Sequence, residues 1–339
     1  MSVSELSSPV ALPSSARRAT AFGRRAARHA LSALLTLVVI SLITFFGTSL
    51  KTPDQLAKAS LGRYITPAQA QDFIRSNHLD RSVLVRYADW AAAMVQGDFG
   101  TSYITHRPVR VDVEPRLVRT LLLALVTLLV AVPIGVALGV HSARKWGTRT
   151  DIVLNIAAVV LSAFPEFVIG LLLLIVLAVK LNLLPVDSGQ GLAFGSLGAQ
   201  IEAYVLPSLT LVVASVPFIM RNTRVAVREA LAASYSRAAL LRGIPRRRVI
   251  WHHAFRNAIS PVLNAVAINV IYLLAGVIVV ENVFDFPGLG QDLVAAVGTG
   301  DTITVQAVAM LLGAVFIAVS FGTDAIAAAV NPLTKGMTR

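Results

Sequence analysis

Residues 221–261 read RNTRVAVREALAASYSRAALLRGIPRRRVIWHHAFRNAISP and lie between apolar spans that no soluble domain would need. Nine arginines occur in this segment, and Glu229 is its only acidic residue. Its first half is rich in alanine, a strong helix former with little bulk, and therefore predicts a helix that a partner can approach closely. Gly243 and Pro245 predict the end of that helix, because glycine adopts the left-handed C-cap and proline cannot continue the helix. The segment thus predicts a helix, a sharp turn and a second helix.

The composition of the chain indicates an integral membrane protein. Of its 339 residues, 55% are hydrophobic and only 14% are charged, whereas charged residues make up about a quarter of a typical soluble domain. The formal net charge of +12 would suggest nucleic-acid binding in a soluble chain. Here the arginines flank apolar spans, so membrane topology explains them and we expect no nucleic-acid partner.

Six apolar spans are predicted. Their approximate bounds are 30–50, 117–140, 152–179, 203–220, 262–280 and 303–330. The loops at 181–202 and 281–301 contain no lysine or arginine, whereas the segments on the other side of the spans are basic. By the positive-inside rule, the basic segments and both termini lie in the cytoplasm. The sequence therefore predicts an all-α integral membrane protein with six transmembrane helices in the inner or plasma membrane.

The spans divide the chain into predicted parts. These are a disordered cytoplasmic tail (1–24), a first transmembrane helix (25–50), an external subdomain (51–116), a five-helix core with the cytoplasmic loop 221–261 (117–330) and a second cytoplasmic tail (331–339). The first apolar run is too long for a signal peptide and is interpreted as an uncleaved anchor. Within the external subdomain, an amphipathic helix is predicted around Tyr87 and Trp90, ending at Gly97 and Gly100.

A proline and a carboxylate interrupt the third span. Pro165 kinks a helix and frees a backbone carbonyl, and an ionised Glu166 within the membrane costs a few kcal/mol. Both should border a wet cavity or a polar substrate. Ser162, Pro165 and Glu166 are therefore candidate residues of a substrate pathway. The alternative is that Glu166 lies near enough to the outer surface to be solvated.

The sequence offers no motif for chemistry of its own. It contains no GxxxxGK[ST] phosphate loop, no GxSxG nucleophile elbow and no HExxH pair. His252 and His253 are adjacent, so their side chains diverge on a helix and make a poor metal pair. We therefore assign no enzyme activity, metal site or cofactor to this chain.

Four stretches resemble type I ABC importer permeases of the dipeptide, oligopeptide and nickel subfamily. They are RYADWAAAMVQGDFGTSY (86–103), SYSRAALLRG (234–243), HHAFRNAISP (252–261) and ENVFDFPGLG (281–290). Ala238, Ala239 and Gly243 keep the spacing of the cytoplasmic signature of these permeases, whereas Arg237 replaces its glutamate, as in this subfamily. The resemblance covers nearly all of the chain after about residue 25.

The resemblance implies the type I ABC importer permease fold and a transmembrane pathway subunit of an ATP-driven importer. Dipeptides or oligopeptides are the implied substrates, with nickel chelates, glutathione and haem as alternatives. The implied partners are a second homologous permease, two ABC ATPase subunits or domains that bind ATP and Mg²⁺, an extracytoplasmic substrate-binding protein and membrane lipid.

Two groups of site residues follow from the resemblance. Those implied in coupling to the ATPase are Glu229, Tyr235, Arg237, Ala238, Ala239, Gly243 and Ile244. Those implied in an external gate, or in docking of the binding protein, are Asp285, Phe286, Pro287, Gly288 and Gly290.

From the residues alone, other interpretations stay open. The positive-inside rule could explain the basic segment by itself, and FPGLG could be an ordinary turn. A secondary transporter or channel would need no ATPase, but should show inverted repeats or chains of intramembrane charges. An intramembrane enzyme would need a nucleophile and a base, or a metal cluster, within the spans.

Overall fold

The computed structural model describes residues 15–62 and 64–330, and its regular secondary structure is helical, apart from one isolated bridge between Thr101 and Pro108. The helices are α1 (Ser15–Thr48), α2 (Pro53–Leu61), α3 (Pro67–Ser76), α4 (Val83–Val95), α5 (Val109–Arg144), α6 (Arg149–Ser162), α7 (Glu166–Leu173), α8 (Ser188–Phe194), α9 (Leu197–Ala232), α10 (Ser234–Leu241), α11 (Arg246–Arg248), α12 (Phe255–Val283), α13 (Leu289–Thr299) and α14 (Thr302–Val330). The π-helical segments Leu174–Lys180 and Val249–Ala254 follow α7 and precede α12. The prediction of an all-α protein is confirmed for this part of the chain.

Within these residues, five helical segments are long and apolar enough to cross a membrane. They are Ala30–Thr48, Val109–Arg144, Leu197–Ala232, Arg246–Val283 and Thr302–Thr323. A sixth candidate is formed by α6 together with α7 and its π-helical extension, but the two halves are bent by 101°. The bend lies at the predicted interruption, because the ring of Pro165 cannot continue α6 and instead occupies the N-cap of α7.

Two predicted boundaries differ from the structure. Residues 15–24, predicted as disordered, belong to α1, because their alanines and arginines are good helix formers. Residues 1–14 and the predicted tail 331–339 lie outside the described residues. The second correction concerns α5, which begins at Val109 rather than near residue 117, so the end of the predicted external subdomain is part of a long helix.

The core of the bundle is formed by α5, α9 and α12. Two apolar clusters join them, one containing Leu123, Leu206, Leu211, Val277 and Phe284 and the other containing Val140, Val227, Ile250, Ala258 and Val262. The backbones of α5 and α9 approach closely at Gly139, where a Cβ atom would lie 2.6 Å from the carbonyl oxygen of Met220. Small residues permit this contact in membrane helices, which gain their stability from close packing rather than from exclusion of water.

The segment between α1 and α5 is anchored on α1 and on the start of α14. The ring of Phe45 on α1 lies 5.4 Å from that of Tyr87 and 5.3 Å from that of Trp90. On the other side, the hydroxyl of Ser102 donates a hydrogen bond of 2.5 Å to the buried carboxylate of Asp301. The predicted helix around Tyr87 and Trp90 is thus confirmed as α4, and its aromatic side chains attach it to α1.

Candidate functional site

A groove with a volume of about 590 Å³ lies on one side of the bundle. It is lined by the bend between α6 and α7 and by one stripe each of α9 and α12. The α9 stripe consists of Leu211, Ala214, Ser215, Phe218, Arg221, Asn222 and Val225, and the α12 stripe of Asn269, Tyr272, Leu273 and Gly276. This spacing of three and four residues places each stripe on one helix face. At 1.5 Å per residue, the α9 stripe is roughly 21 Å long.

The groove contains two of the three predicted pathway residues, Ser162 and Glu166. The third, Pro165, forms the N-cap beside them. Glu166 is half-buried and makes no hydrogen bond or ion pair with another described residue. Its carboxylate lies beside Gly276, where a Cβ atom would be 3.6 Å from Oε1. The bend therefore exposes a carboxylate without a partner to the groove, whereas its role in a pathway stays a prediction.

Three further polar side chains of the groove lack partners among the described residues. Asn269 is only 5% exposed, and its Oδ1 atom has no hydrogen-bond donor. Ser215 is buried to the same extent, and its hydroxyl also makes no hydrogen bond. Arg221 is exposed and forms no ion pair. A buried polar group without a partner costs roughly 1–3 kcal/mol, so this side of the bundle is suited to a polar ligand or water.

The basic segment differs from the prediction of one helix that ends at Gly243. The α9 helix continues from the bundle through Arg221 to Ala232, and Ala233 interrupts it with an extended backbone (φ −64°, ψ 152°). The hydroxyl of Ser236 then donates a hydrogen bond of 2.8 Å to the carbonyl oxygen of Ala230, one of the acceptors that the end of α9 leaves free. The predicted helix is therefore divided into the end of α9 and the short helix α10.

The predicted glycine C-cap of this segment is confirmed. Gly243 has φ +78°, and the amide of Ile244 donates a hydrogen bond of 3.2 Å to the carbonyl oxygen of Ala239. This 6→1 bond ends α10 in a Schellman motif, which needs the left-handed conformation that glycine adopts without strain.

One face of α10 is buried and the other is free. Ser236 and Ala239 are buried against α9 and the π-helical segment Val249–Ala254. Tyr235 is 42% exposed and Leu241 is 89% exposed. Of the predicted coupling residues, Glu229, Tyr235, Arg237, Ala238 and Gly243 are exposed, Ile244 is half-buried and Ala239 is buried. The free face could therefore contact a partner, whereas Ala239 packs inside this chain.

A buried ion pair holds the loop between α5 and α6 against α9. Arg224 donates two hydrogen bonds to Asp151, from Nε at 2.7 Å and from Nη2 at 2.9 Å. The Asp151 carboxylate also accepts hydrogen bonds from the hydroxyl of Ser142 at 2.5 Å and from the amide of Gly147 at 2.9 Å. The guanidinium carbon of Arg224 lies 4.0 Å from the ring centroid of Trp146. This arrangement fixes α9 about two turns before α9 ends.

Asp151 is not among the site residues predicted from the sequence. The available signal was its isolation in the sequence, since it is the only acidic residue between Glu114 and Glu166 and follows the basic residues Arg144, Lys145 and Arg149.

The segment ENVFDFPGLG folds around a second buried carboxylate. Glu281 is fully buried and accepts hydrogen bonds from the hydroxyl of Thr120 at 2.6 Å and from the amides of Gly290 at 2.6 Å and Gln291 at 3.2 Å. These amides lie in the first turn of α13, where free N–H groups and the helix dipole favour a negative charge. At Gly288 a Cβ atom would collide with the same carboxylate, so this position requires glycine.

The predicted gate residues differ in their burial. Phe286, Gly288 and Gly290 are buried, and the Phe286 ring lies 5.0 Å from that of Tyr204. Pro287 is half-buried. Asp285 is exposed and accepts a hydrogen bond from the side-chain amide of Gln291. The buried residues hold the turn, and the role of this segment in gating or docking stays a prediction.

The glutamate at the centre of this turn was not singled out in the sequence. A carboxylate at the end of an apolar span, followed closely by a proline and two glycines, is the pattern that could have indicated it.

A second polar contact joins α5 to α13 beside this turn. Arg116 Nε lies 3.5 Å from Asp292 Oδ1. Burial raises the pKa of the Asp292 carboxyl above its usual range, and the positive charge of Arg116 acts in the opposite direction. The contact therefore favours the ionised form of a buried aspartate beside this turn.

Across the described part of the chain, no group of three or more histidine, aspartate or glutamate side chains is placed to hold a metal ion. The rings of His252 and His253 are 6.1 Å apart at their centroids and nearly perpendicular.

Comparisons with known proteins cover both halves of the chain. Residues 131–336 match the family described as "Binding-protein-dependent transport system inner membrane component", and residues 24–124 match its N-terminal membrane component. The glutathione transport system permease protein GsiC of Escherichia coli (strain K12) is 32% identical over 313 residues, which cover 91% of this chain and 97% of that protein. GsiC of Salmonella typhimurium (strain LT2) has the same identity and coverage. The groove, the basic segment and the turn that residues 281–290 form around Glu281 (the Glu281 turn) all lie within residues 131–336.

The Glu281 turn gives a first prediction. We expect Glu281→Ala to destabilise the protein, because it leaves the buried amide of Gly290 without an acceptor, at a cost of roughly 1–3 kcal/mol, and removes the acceptor of the half-buried Gln291 amide as well. The apparent melting temperature of the detergent-solubilised protein should fall by several degrees. Asn282→Ala, at the exposed neighbouring position, is the control and should melt like the wild type. Equal melting temperatures for Glu281→Ala and the wild type would contradict a supporting role of this carboxylate.

The Asp151–Arg224 pair gives a second prediction. Arg224→Met leaves the Asp151 carboxylate buried and unpaired, so we expect a loss of about 3–5 kcal/mol in stability. The double variant Asp151→Asn/Arg224→Met removes the buried charge and should recover most of this loss. Arg228→Met is the control, since Arg228 also lies over Trp146, at 5.2 Å, without a hydrogen bond to Asp151. Thermal melting of the four proteins checks this, and a double variant no more stable than Arg224→Met would show that the buried charge is not the cause.

Proposed function

Because this chain belongs to the inner-membrane components of binding-protein-dependent transport systems and is a permease subunit of an ABC importer, we propose that it forms one half of a membrane pathway for short peptides. The proposed substrates are dipeptides and slightly longer peptides. They include glutathione, which appears in the name of the GsiC relatives. The observation that carries this proposal is the groove with its free carboxylate. Glu166 offers an attraction to the α-ammonium of a peptide that is weak, about a kcal/mol, in a hydrated groove.

The shape of the groove supports the participation of a second permease. Several lining side chains remain open to the outside of the bundle, among them Ser162 and Tyr272, which is 65% exposed. A closed pathway needs a wall opposite them. We assign that wall to a second, homologous permease subunit.

The free face of α10 supports docking on an ATPase subunit. It presents Tyr235, the small residue Ala238 and Leu241, which is exposed although it is apolar. Two ATPase subunits would bind ATP and Mg²⁺, and their closure would move the α10 helices and thereby switch the pathway between its two openings. In this proposal the chain has no ATPase site of its own.

We also propose six spans with both termini in the cytoplasm. The α6 helix begins beside Arg224, at the end of the bundle that carries the arginines. A Cβ atom at Gly170 on α7 would lie 3.3 Å from Phe284, which belongs to the Glu281 turn at the opposite end. The bent pair thus extends from one end towards the other, which supports a broken span. Residues 51–108 and the Glu281 turn then face the extracytoplasmic binding protein.

Single cysteines test this topology, because the chain contains no cysteine. Leu183, directly after the bent pair, is 66% exposed, and Leu241 on α10 is 89% exposed. We expect Leu183→Cys to react with a membrane-impermeant thiol reagent in spheroplasts, and Leu241→Cys to react only in opened membranes. Reaction of Leu183→Cys only after opening would mean that the bent pair returns to the cytoplasmic side.

Reconstitution tests the function itself. Proteoliposomes that contain this chain, its co-purified permease and ATPase partners and the binding protein should show ATP-dependent uptake of labelled dipeptide or glutathione. Leu241→Asp should weaken ATPase binding at least about tenfold, equivalent to ~1.4 kcal/mol, and lower uptake accordingly. Val95→Asp, at an equally exposed apolar position on α4 (89%), is the control and should leave ATPase binding unchanged. Uptake without ATP, or normal ATPase binding by Leu241→Asp, would contradict the proposal.

A further inference from the structure

Arg221 lies in the groove, and the positive-inside rule does not explain this position. An arginine that only determines membrane orientation has to lie at the membrane boundary, but its side chain can point away from the groove. Arg221 instead lines the groove, and it forms no ion pair or hydrogen bond with another described residue. Its guanidinium carries a positive charge and offers five N–H donors in a planar arrangement that matches a carboxylate.

Asn269 lies on the facing helix at the same level. The rings of Phe218 and Tyr272 lie 6.4 Å apart across the groove. Because α9 and α12 run in opposite directions, one further turn leads from this pair to Arg221 on α9 and to Asn269 on α12. The Oδ1 atom of Asn269 is a buried acceptor without a donor. The two residues therefore present donors and an acceptor at one level of the groove.

We propose that Arg221 and Asn269 bind the carboxyl-terminal residue of the transported peptide. The Arg221 guanidinium pairs with the terminal carboxylate, and Asn269 Oδ1 accepts a hydrogen bond from the last peptide N–H. This assignment rests on the proposed peptide pathway and names the part of the substrate that this end of the groove recognises.

The position of Glu166 gives the bound peptide a direction. Glu166 lies at the level of Leu211, since both contact the Gly276 position. Ten residues of α9 separate Leu211 from Arg221, which corresponds to roughly 15 Å along the helix. An extended peptide spans about 3.3–3.6 Å per residue, so a dipeptide engages one end at a time, whereas three or four residues approach both. The free hydroxyl of Ser215 lies between the two ends.

Paired peptides test this inference in the reconstituted importer. One tripeptide has a free carboxylate, and its partner is amidated at the carboxyl terminus. For each peptide, the uptake rate of the variant is divided by that of the wild type. This ratio does not depend on which peptide the binding protein prefers, because the binding protein is the same in both. We expect Arg221→Gln to slow uptake of the free tripeptide about fivefold and to change uptake of the amidated one less than twofold. Arg221→Lys should retain part of the rate, because it keeps the charge but not the planar pair of donors.

Two controls separate recognition from assembly. Arg256→Gln removes an exposed arginine that does not line the groove and should affect neither peptide. Glu166→Gln should give the reciprocal pattern, slowing a tripeptide with a free amino terminus more than one with an acetylated amino terminus. Asn269→Leu should slow the free tripeptide, and should do so less for a tripeptide that is N-methylated at its last peptide bond. ATPase co-purification confirms that each variant assembles.

The outcomes are distinguishable. Equal slowing of free and amidated peptides by Arg221→Gln, or no slowing of either, overturns the assignment while leaving a peptide pathway in place. If the wild type takes up neither tripeptide and no dipeptide in the presence of ATP, the proposed function fails and this inference fails with it.

Discussion

A polar group in a membrane protein has few partners outside the protein, so the protein itself must satisfy it. In this bundle two buried carboxylates meet that demand at opposite ends. Through its hydrogen bonds with Arg224, Asp151 holds the loop between α5 and α6 against α9. Glu281 on α12 accepts hydrogen bonds from the first turn of α13 and from Thr120 on α5, and so joins these three helices. Each is surrounded by donors from different helices, so each fixes the relative positions of elements that apolar packing alone would leave free to slide. The groove between these two ends instead contains several polar side chains that have no partner among the described residues.

The polar side chains of the groove differ in this respect from the two buried carboxylates. Glu166, Ser215, Asn269 and Arg221 lie within a few helical turns of one another, and none has a partner among the described residues. Asp151 is satisfied by four hydrogen bonds, whereas these four side chains along one groove have none within the described part of the chain, and stability alone gives no reason for the difference. The hydrated pathway that we propose would account for them, because passing substrates and water would supply the missing hydrogen bonds in turn.

The sequence predicts the features that depend on local chemistry. Apolar length predicts the spans, Pro165 predicts the break between α6 and α7, and Gly243 predicts the end of α10. Features that depend on contacts between distant residues were not predictable in this way. The pairing of Asp151 with Arg224 joins positions far apart in the chain, and the capping of α13 by Glu281 requires the turn at Gly288 to fold back on α12. The break at Ala233 was also missed, because alanine favours helix and only the hydrogen bond from Ser236 to Ala230 reveals why the chain turns there.

The junction between α9 and α10 consists of the single residue Ala233, and the Ser236 hydroxyl bonds back to α9 across it. A flexible linker would absorb a push on α10 as local bending. Here one residue and one hydrogen bond join the two helices, so we expect a displacement of α10 to move the end of α9 with it. Because Arg221, Ser215 and Leu211 all lie on α9, a small rotation of this helix changes the wall of the groove along its whole length at once. In the importer that we propose, α9 would thus both receive the movement of α10 and contact the substrate, so no separate relay between the two would be needed.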